Sequence, residues 1–259
     1  MTQTTDYPRA AKYPDLEAVY SECSGPGGLK LAEFIAGKLD LKPDARLLDI
    51  GTNRGFQTCF LAKEYGVFVV GIDPWIDPFD SEHRPMVEYV WRNARAWGVE
   101  GRVLPVGIGV PKTKFADGSF DAAYSTTALE MIRGLEGEDK YRECLAEVLR
   151  GLRPGALFGM GEPMHLDVPL PEDLAPLMTK GKAAWADCFA TIGETVDAFE
   201  SVGFEIIESG YAPDARAWWD EFCRFSPWCR AHPEEDPRRL EVDAGRWVSF
   251  GYVIARRPH

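Results

Sequence analysis

The apolar positions of the first two thirds of the chain fall into two alternating kinds of run. Short, nearly continuous apolar stretches predict buried strands: "RLLDI" (46–50), "VFVVGID" (67–73), "RVLPVGIG" (102–109), "SFDAAYS" (119–125) and "ALFGMGE" (156–162). Longer stretches with helical spacing lie between them: "FQTCFLAKEYG", ending at Gly66, "RPMVEYVWRNARAWG", stopped at Gly98, and "KYRECLAEVLRGLRPG", closed by Pro154-Gly155. "LKLAEFIAGKLDL" is an earlier helix, entered through "GGLK", and the first dozen residues read as a mobile lead-in. Repeated βα units predict a parallel sheet with helices on both faces.

After residue 162 the pattern changes. "MHLDVPLPEDLAPLMTKGKAAWADCFA" reads as a long, largely helical insertion. "ETVDAFESVGF" is a helix with Gly203 at its end, and "EIIESGYA" a strand. A Trp-rich acidic segment follows, and "RWVSFGYVIARRP" is a last strand. Two late strands around a long connection suit an antiparallel hairpin at the sheet edge. The expected fold is α/β: a Rossmann-like, doubly wound, seven-stranded sheet of five parallel strands plus a C-terminal antiparallel hairpin. One domain spans 1–259, with an N-terminal cap over 1–44 and helical lid insertions over 164–192 and 212–245.

Composition narrows the partners. With 259 residues, 45% of them hydrophobic, the chain can bury a sizeable core. A net charge of −12 argues against DNA or RNA and suits, without requiring, a cationic ligand. No stretch approaches the roughly 18 apolar residues of a membrane helix, and the N-terminus lacks a signal-peptide core. A cytoplasmic protein, off the membrane, is expected, as a monomer or a homodimer. The six cysteines (Cys23, Cys59, Cys144, Cys188, Cys223, Cys229) form no CxxC pair, so idle thiols are expected and no metal site.

Four segments should converge at the carboxyl ends of the strands, where doubly wound sheets bind ligands. The first is Asp49-Ile-Gly51-Thr52-Asn53-Arg-Gly55-Phe56, whose glycines permit a tight turn. The second is Asp73-Pro74-Trp75; an acid 24 residues after Asp49 can accept both hydroxyls of a ribose. The third is Ile108-Gly109 and the fourth Ser125-Thr126. A dinucleotide turn would need G-x-G-x-x-G, but those positions here read Gly51, Asn53 and Phe56. No nucleoside-triphosphate loop is present either. The turn therefore suits adenosine without pyrophosphate, and S-adenosylmethionine fits.

The same segments resemble class I S-adenosylmethionine (SAM)-dependent methyltransferases. "LLDIGTNRG", "VVGID", "FADGSFDAAYSTTALEMI" and "VLRGLRPGALF" match the family's motifs in order over roughly residues 45–160. The resemblance implies SAM as cofactor and S-adenosylhomocysteine as product. It places Gly51–Gly55 at the methionine part, Asp73 at the ribose, and Trp75 or Ile108 on the adenine. Two departures stand out: Asn53 replaces a common glycine, and Gly109 stands where an Asp often contacts the adenine amino group. Asn53 then becomes a candidate polar contact to the methionine end.

The flanks resemble a narrower branch, the phosphoethanolamine methyltransferase-like enzymes. "VYSECSGPGGLKLAEFIAGKLDLKPDARLLDIG" is similar to their N-terminal cap, and "DARAWWDEF" with "RWVSFGYVIAR" to their C-terminal half. In that branch tyrosine and arginine grip a phosphate and a histidine acts in catalysis. Here Met131 stands for the histidine, Glu162 for a tyrosine, and Trp185 and Asp187 near the arginine and tyrosine. Acids would repel a phosphate, whereas acids with Trp suit an amine or other cation. Met131, Glu162, Trp185, Asp187 and Trp247 are therefore the candidate acceptor residues. Glu162 or Glu130 is the candidate base, and Tyr20 a candidate to close over the sulfonium. Two other readings stay open: a thiol, selenium or arsenic methyltransferase using Cys23, Cys188 or Cys223, and a SAM-binding regulatory protein without catalysis.

Overall fold

The computed structural model describes residues 6–78 and 80–259. Seven strands form one sheet: β1 (Arg46–Ile50), β2 (Phe68–Ile72), β3 (Val103–Val106), β4 (Phe120–Thr126), β5 (Leu152–His165), β6 (Glu205–Tyr211) and β7 (Val248–Arg256). Their order is β3-β2-β1-β4-β5-β7-β6. β1 to β5 pair in parallel, and β7 runs antiparallel between β5 and β6. This is the doubly wound sheet with a terminal hairpin that the apolar pattern predicts, and the fold of class I methyltransferases.

The helices are α1 (Leu16–Glu22), α2 (Gly28–Ala36), α3 (Phe56–Tyr65), α4 (Met86–Trp97), α5 (Leu129–Glu136) and α6 (Glu138–Gly151). They continue with α7 (Ala175–Met178), α8 (Trp185–Cys188), α9 (Ile192–Ser201), α10 (Ala215–Phe225), α11 (Pro227–Ala231) and α12 (Asp236–Asp243). Successive strand residues point to opposite faces, so each strand feeds two cores. Leu47 joins Leu31 and Ile35 of α2, Phe60 of α3 and Val90 of α4. Leu48, its neighbour, joins Leu145 of α6, Phe158 and Phe199 of α9. A third core of Tyr20, Met178, Phe189, Trp219, Phe222, Leu240 and Trp247 ties the segments outside the sheet to one another. No helix among the described residues is long and apolar enough to cross a membrane.

Three local expectations need correction. The segment after β5 is mostly irregular, with helix confined to the four-residue turns α7 and α8. Pro169, Pro171 and Pro176 remove backbone donors and restrict the residues before them, which prevents a long helix. α6 ends at Gly151, not at Pro154-Gly155; those two residues lie within β5, beside its register shift against β4. The lead-in is tied down from residue 7 onward, while residues 1–5 lie outside the described part. The Tyr7 hydroxyl donates to Asp214 (2.7 Å), and the amides of Arg9 and Ala10 donate to the buried Glu33 carboxylate (3.1 and 2.7 Å).

Glu33 therefore holds the N-terminal segment on α2. Glu33→Ala is expected to lose roughly 1–3 kcal/mol of stability in urea unfolding, because it removes charge-assisted bonds to two amides. It should also expose Arg9 and Lys12 to early trypsin cleavage. Unchanged cleavage at both would refute the anchoring role.

Candidate active site

β1 and β4 leave the sheet centre side by side, and their connections diverge to opposite faces. This is the switch point of the sheet, and a cavity of about 540 Å³ opens there. One end is built on the turn after β1. Gly51 has φ +76°, and a Cβ there would lie 2.3 Å from the Ala128 Cβ. Gly55, also at φ +76°, would meet Val90. Asn53 between them is left-handed too, at φ 51°. Asn is among the few residues with a side chain that enter this region readily, because its amide can bond locally. It does so here: its Oδ1 accepts the Arg54 amide at 2.8 Å. Asn53 still faces the cavity, but backbone geometry accounts for its presence, and one end of its amide is spent within the turn.

Asp73 joins the turn to the end of β2. Its Oδ2 accepts the Asn53 amide (2.8 Å) and its Oδ1 the Trp75 amide (2.9 Å). Each oxygen keeps a lone pair for a ligand hydroxyl. Burial raises the pKa of this carboxyl, and the two amides oppose the shift. Pro74 and the half-exposed Trp75 continue the wall. Gly109 closes it: a Cβ there would sit 2.9 Å from the Pro74 Cγ. The absence of a side chain at 109 thus follows from Pro74, since an Asp would collide with it.

Several expected cofactor residues brace the wall rather than form it. Asp49 accepts the Thr58 hydroxyl (2.5 Å) beneath the turn, and burial pushes its carboxyl up to about 7. Ser125 is fully buried and donates to the Ile50 carbonyl (3.0 Å). Ile108 packs into the sheet core, off the cavity. Gly55 is buried at the start of α3. Thr52 and Phe56 border a small adjoining recess with Ser24 and Gln57.

The other end of the cavity is aromatic. Trp185 packs against Phe189 (5.0 Å between ring centroids) and Trp219 (5.2 Å), and Trp219 against Phe222 (6.3 Å). Met131 and Glu130 supply the near wall. Asp236 lies at the rim, bonded to Arg239 (2.8 Å), whose guanidinium covers the Trp185 ring at 5.2 Å. Among the described lining residues Asp73, Glu130 and Asp236 are acids, and none is Lys, Arg or His.

Four acceptor-side expectations are not met. Glu162 does not reach the cavity; it is fully buried and accepts from Arg133 Nη1 (3.2 Å) and the Tyr141 hydroxyl (3.1 Å). The pleat explains this. A Cβ on Gly161 would meet Leu31 of α2, so its neighbour Glu162 points to the opposite face, toward α5 and α6. Trp247 is buried and stacks on His165 at 4.5 Å. Asp187 is exposed on α8 and off the cavity wall. Tyr20 is buried and donates to Glu221 (2.8 Å), so its hydroxyl is committed away from the cavity. Of the candidate cysteines, Cys188 lines the cavity and Cys23 and Cys223 do not. Burial pushes the Cys188 thiol up to about 12. The described residues contain no group of three His, Cys, Asp or Glu placed to hold a metal.

Sequence reasoning missed Ser24-Gly25-Pro26, Thr127, Phe189, Trp219, Phe222 and Asp236, all on the wall. The Trp-rich composition marked the region of Trp219 and Phe222, but helical phase decides which ring turns inward.

Residues 48–160 match the family described as "Methyltransferase domain". The chain is 27% identical over 222 residues to YjhP of Escherichia coli (strain K12), itself called uncharacterized, covering 82% of each chain. It is 25% identical over 200 residues to a sterol 24-C-methyltransferase of Aspergillus fumigatus, covering 72% of this chain but only 47% of that protein. Among solved structures, phosphoethanolamine N-methyltransferase 2 of Haemonchus contortus in complex with SAM superposes with a TM-score of 0.75. That match has 18% identity and covers 98% of this chain and 58% of the other. Residues 48–160 are thus similar to a methyltransferase domain, and the sheet has the class I SAM-dependent methyltransferase fold. Such a domain implies SAM as the cofactor, and the site fits it: the Asp73 lone pairs, the glycine cradle and the cavity are in place.

Asp73→Ala is expected to weaken SAM binding by about tenfold or more in calorimetry, since it removes the hydroxyl acceptor and unties Asn53 and Trp75. Unchanged affinity would rule out this ribose site.

Proposed function

We propose that the protein transfers a methyl group from SAM to the nitrogen of a small, hydrophobic amine. The observation that carries this reading is the cavity wall: three carboxyls, an aromatic box and no cationic side chain among the described lining residues. A phosphate-bearing acceptor, such as the one named for the Haemonchus enzyme, would find no positive partner among the described lining residues. An ammonium gains ion pairing with Glu130 and attraction to the Trp185, Trp219 and Phe222 rings.

SAM, when bound, supplies a methyl already activated on a sulfonium. The chain's residues then bind, orient and dry the site. Asp73 would accept the ribose hydroxyls, and Trp75 and the turn from Gly51 to Asn53 would hold the adenine and methionine parts. Trp185, Phe189, Trp219 and Phe222 hold the acceptor and exclude water, which strengthens each electrostatic contact. An ammonium has no free lone pair, so it must lose a proton before it reacts. Glu130, on the wall beside Met131, takes that proton. With its lone pair free, the nitrogen is held by these residues to receive the methyl that SAM would supply, its sulfur keeping the bonding electron pair. Alignment and desolvation are the larger part of catalysis here.

A mass-spectrometric screen of amines, thiols and phenols with SAM tests the reading. Methylated amines and S-adenosylhomocysteine are expected. Methylation confined to thiols or phenols would overturn it, and no turnover with any acceptor would favour a SAM-binding protein without catalysis. Glu130→Gln should lower kcat for the amine by about a hundredfold or more while SAM affinity stays within about twofold.

A further inference from the structure

Behind the Glu130 wall lies a buried polar cluster whose charges do not balance. Glu130 and Glu162 are 4% and 0% exposed. Arg133 is the cation of the cluster, and its Nη1 donates to Glu162. Its Nε is spent on Glu138, which is 41% exposed and also bonded to Arg142. Tyr141 and Cys188, the other titratable groups against the pair, are held neutral by burial. Asp187 on α8 is exposed. On the far side His165 stacks on Trp247, and Glu194 is engaged with Thr191 in the cap of α9. With both acids ionised, the cluster carries one buried negative charge without a partner.

The hydrogen bonds point the same way. Oε2 of Glu130, Oε2 of Glu162 and Nη2 of Arg133 are all buried without a partner. A carboxylate only accepts, whereas a protonated carboxyl also donates. Oε1 of Glu162 receives Arg133 and Tyr141, while no side chain donates to Glu130 Oε2. Adjacent carboxyls in a dry site do not both ionise readily. Burial and the Glu162 charge shift Glu130 upward, against the opposing pull of the Glu130 and Ala128 amides and of Arg133.

We infer that Glu130 and Glu162 hold one proton between them at neutral pH, carried by Glu130, and that an ammonium entering the cavity exchanges with it. The proton leaves to solvent, Glu130 becomes the carboxylate partner of the ammonium, and the buried charge stays balanced. The same carboxylate then takes the N–H proton before methyl transfer. Arg133 and Glu162 act as positioning residues that set this balance. The exchange with ammonium rests on the amine reading; the shared proton does not.

Net charge measured by capillary electrophoresis at neutral pH, without any acceptor, reads the pair directly. Glu130→Gln and Glu162→Gln should each keep the wild-type charge, because the remaining acid ionises beside Arg133. The double variant should be one unit less negative. Single variants one unit less negative, or a double variant of unchanged charge, would overturn the inference. Infrared spectroscopy of the wild type at about pH 8 supplies a measurement that needs no variant to fold. A neutral-carboxyl carbonyl band is expected there, and its absence would also overturn the inference. If the shared proton is found but no amine is methylated, the amine reading fails and the charge pair stands.

Discussion

The site depends on one carboxylate. Asp73 receives the Asn53 amide from the turn after β1 and the Trp75 amide from its own connection, and so fixes the two strand ends against each other. The amides of Gly51 and Thr52 both donate to the Ile72 carbonyl, which tightens the same joint. A left-handed turn of three residues at 51, 53 and 55 costs backbone freedom, and this bonding holds it in place. The cavity then takes its shape from what the joint excludes. A Cβ on Gly51 would strike Ala128, and one on Gly109 would strike Pro74. The wall is close and largely preformed, as a cofactor that must present one methyl group in line requires.

Around this joint the chain wraps its two ends. Ser24 to Pro26, from the N-terminal side, reach the cavity, and Gly25 lies so close to Thr127 that a Cβ there would be 2.5 Å from its methyl. α10 brings Trp219 and Phe222 from the other side, with Trp218 buried behind them against Phe34 and Phe250. Tyr20 on α1 packs edge-on to Phe222 and bonds Glu221, so the two ends form a single roof. Tyr20 therefore acts on the site through packing.

The sheet and the cofactor end were legible because period and turn chemistry are local. Five apolar runs separated by helical spacing define β1 to β5, and glycines flanking an acid define the turn. Asp73 was legible for the same reason. The acceptor end was not, because it is assembled from α5, α8, α10 and α12, whose orientations no local pattern encodes. Trp185 was anticipated, but Trp219 and Phe222 depend on helical phase and on the packing of α10. Glu162 shows the limit most clearly. Alignment of motifs placed it at the end of the fifth strand, but β5 runs on to His165, and within a paired strand the one-residue alternation decides the face, which here is away from the cavity.

Moving Glu162 out of the cavity strengthens the case for Glu130. A lone acid facing a hydrophobic amine in an aromatic box would be either an unpaired buried charge or a neutral acid of little use as a base. An acid backed by a second acid and one guanidinium is neither. Arg133 pairs with Glu162 and compensates one negative charge, and the second can exist at full strength only when a cation arrives. The cluster thereby couples the charge of the wall to the charge of the ligand. A neutral acceptor brings no cation to exchange and meets a protonated, hydrogen-bond-donating wall, whereas an ammonium converts that wall into the carboxylate that methylation of nitrogen requires. Selectivity for the acceptor and activation of its lone pair would then arise from a single buried proton, carried by Glu130 on the wall and set by Arg133 and Glu162 behind it.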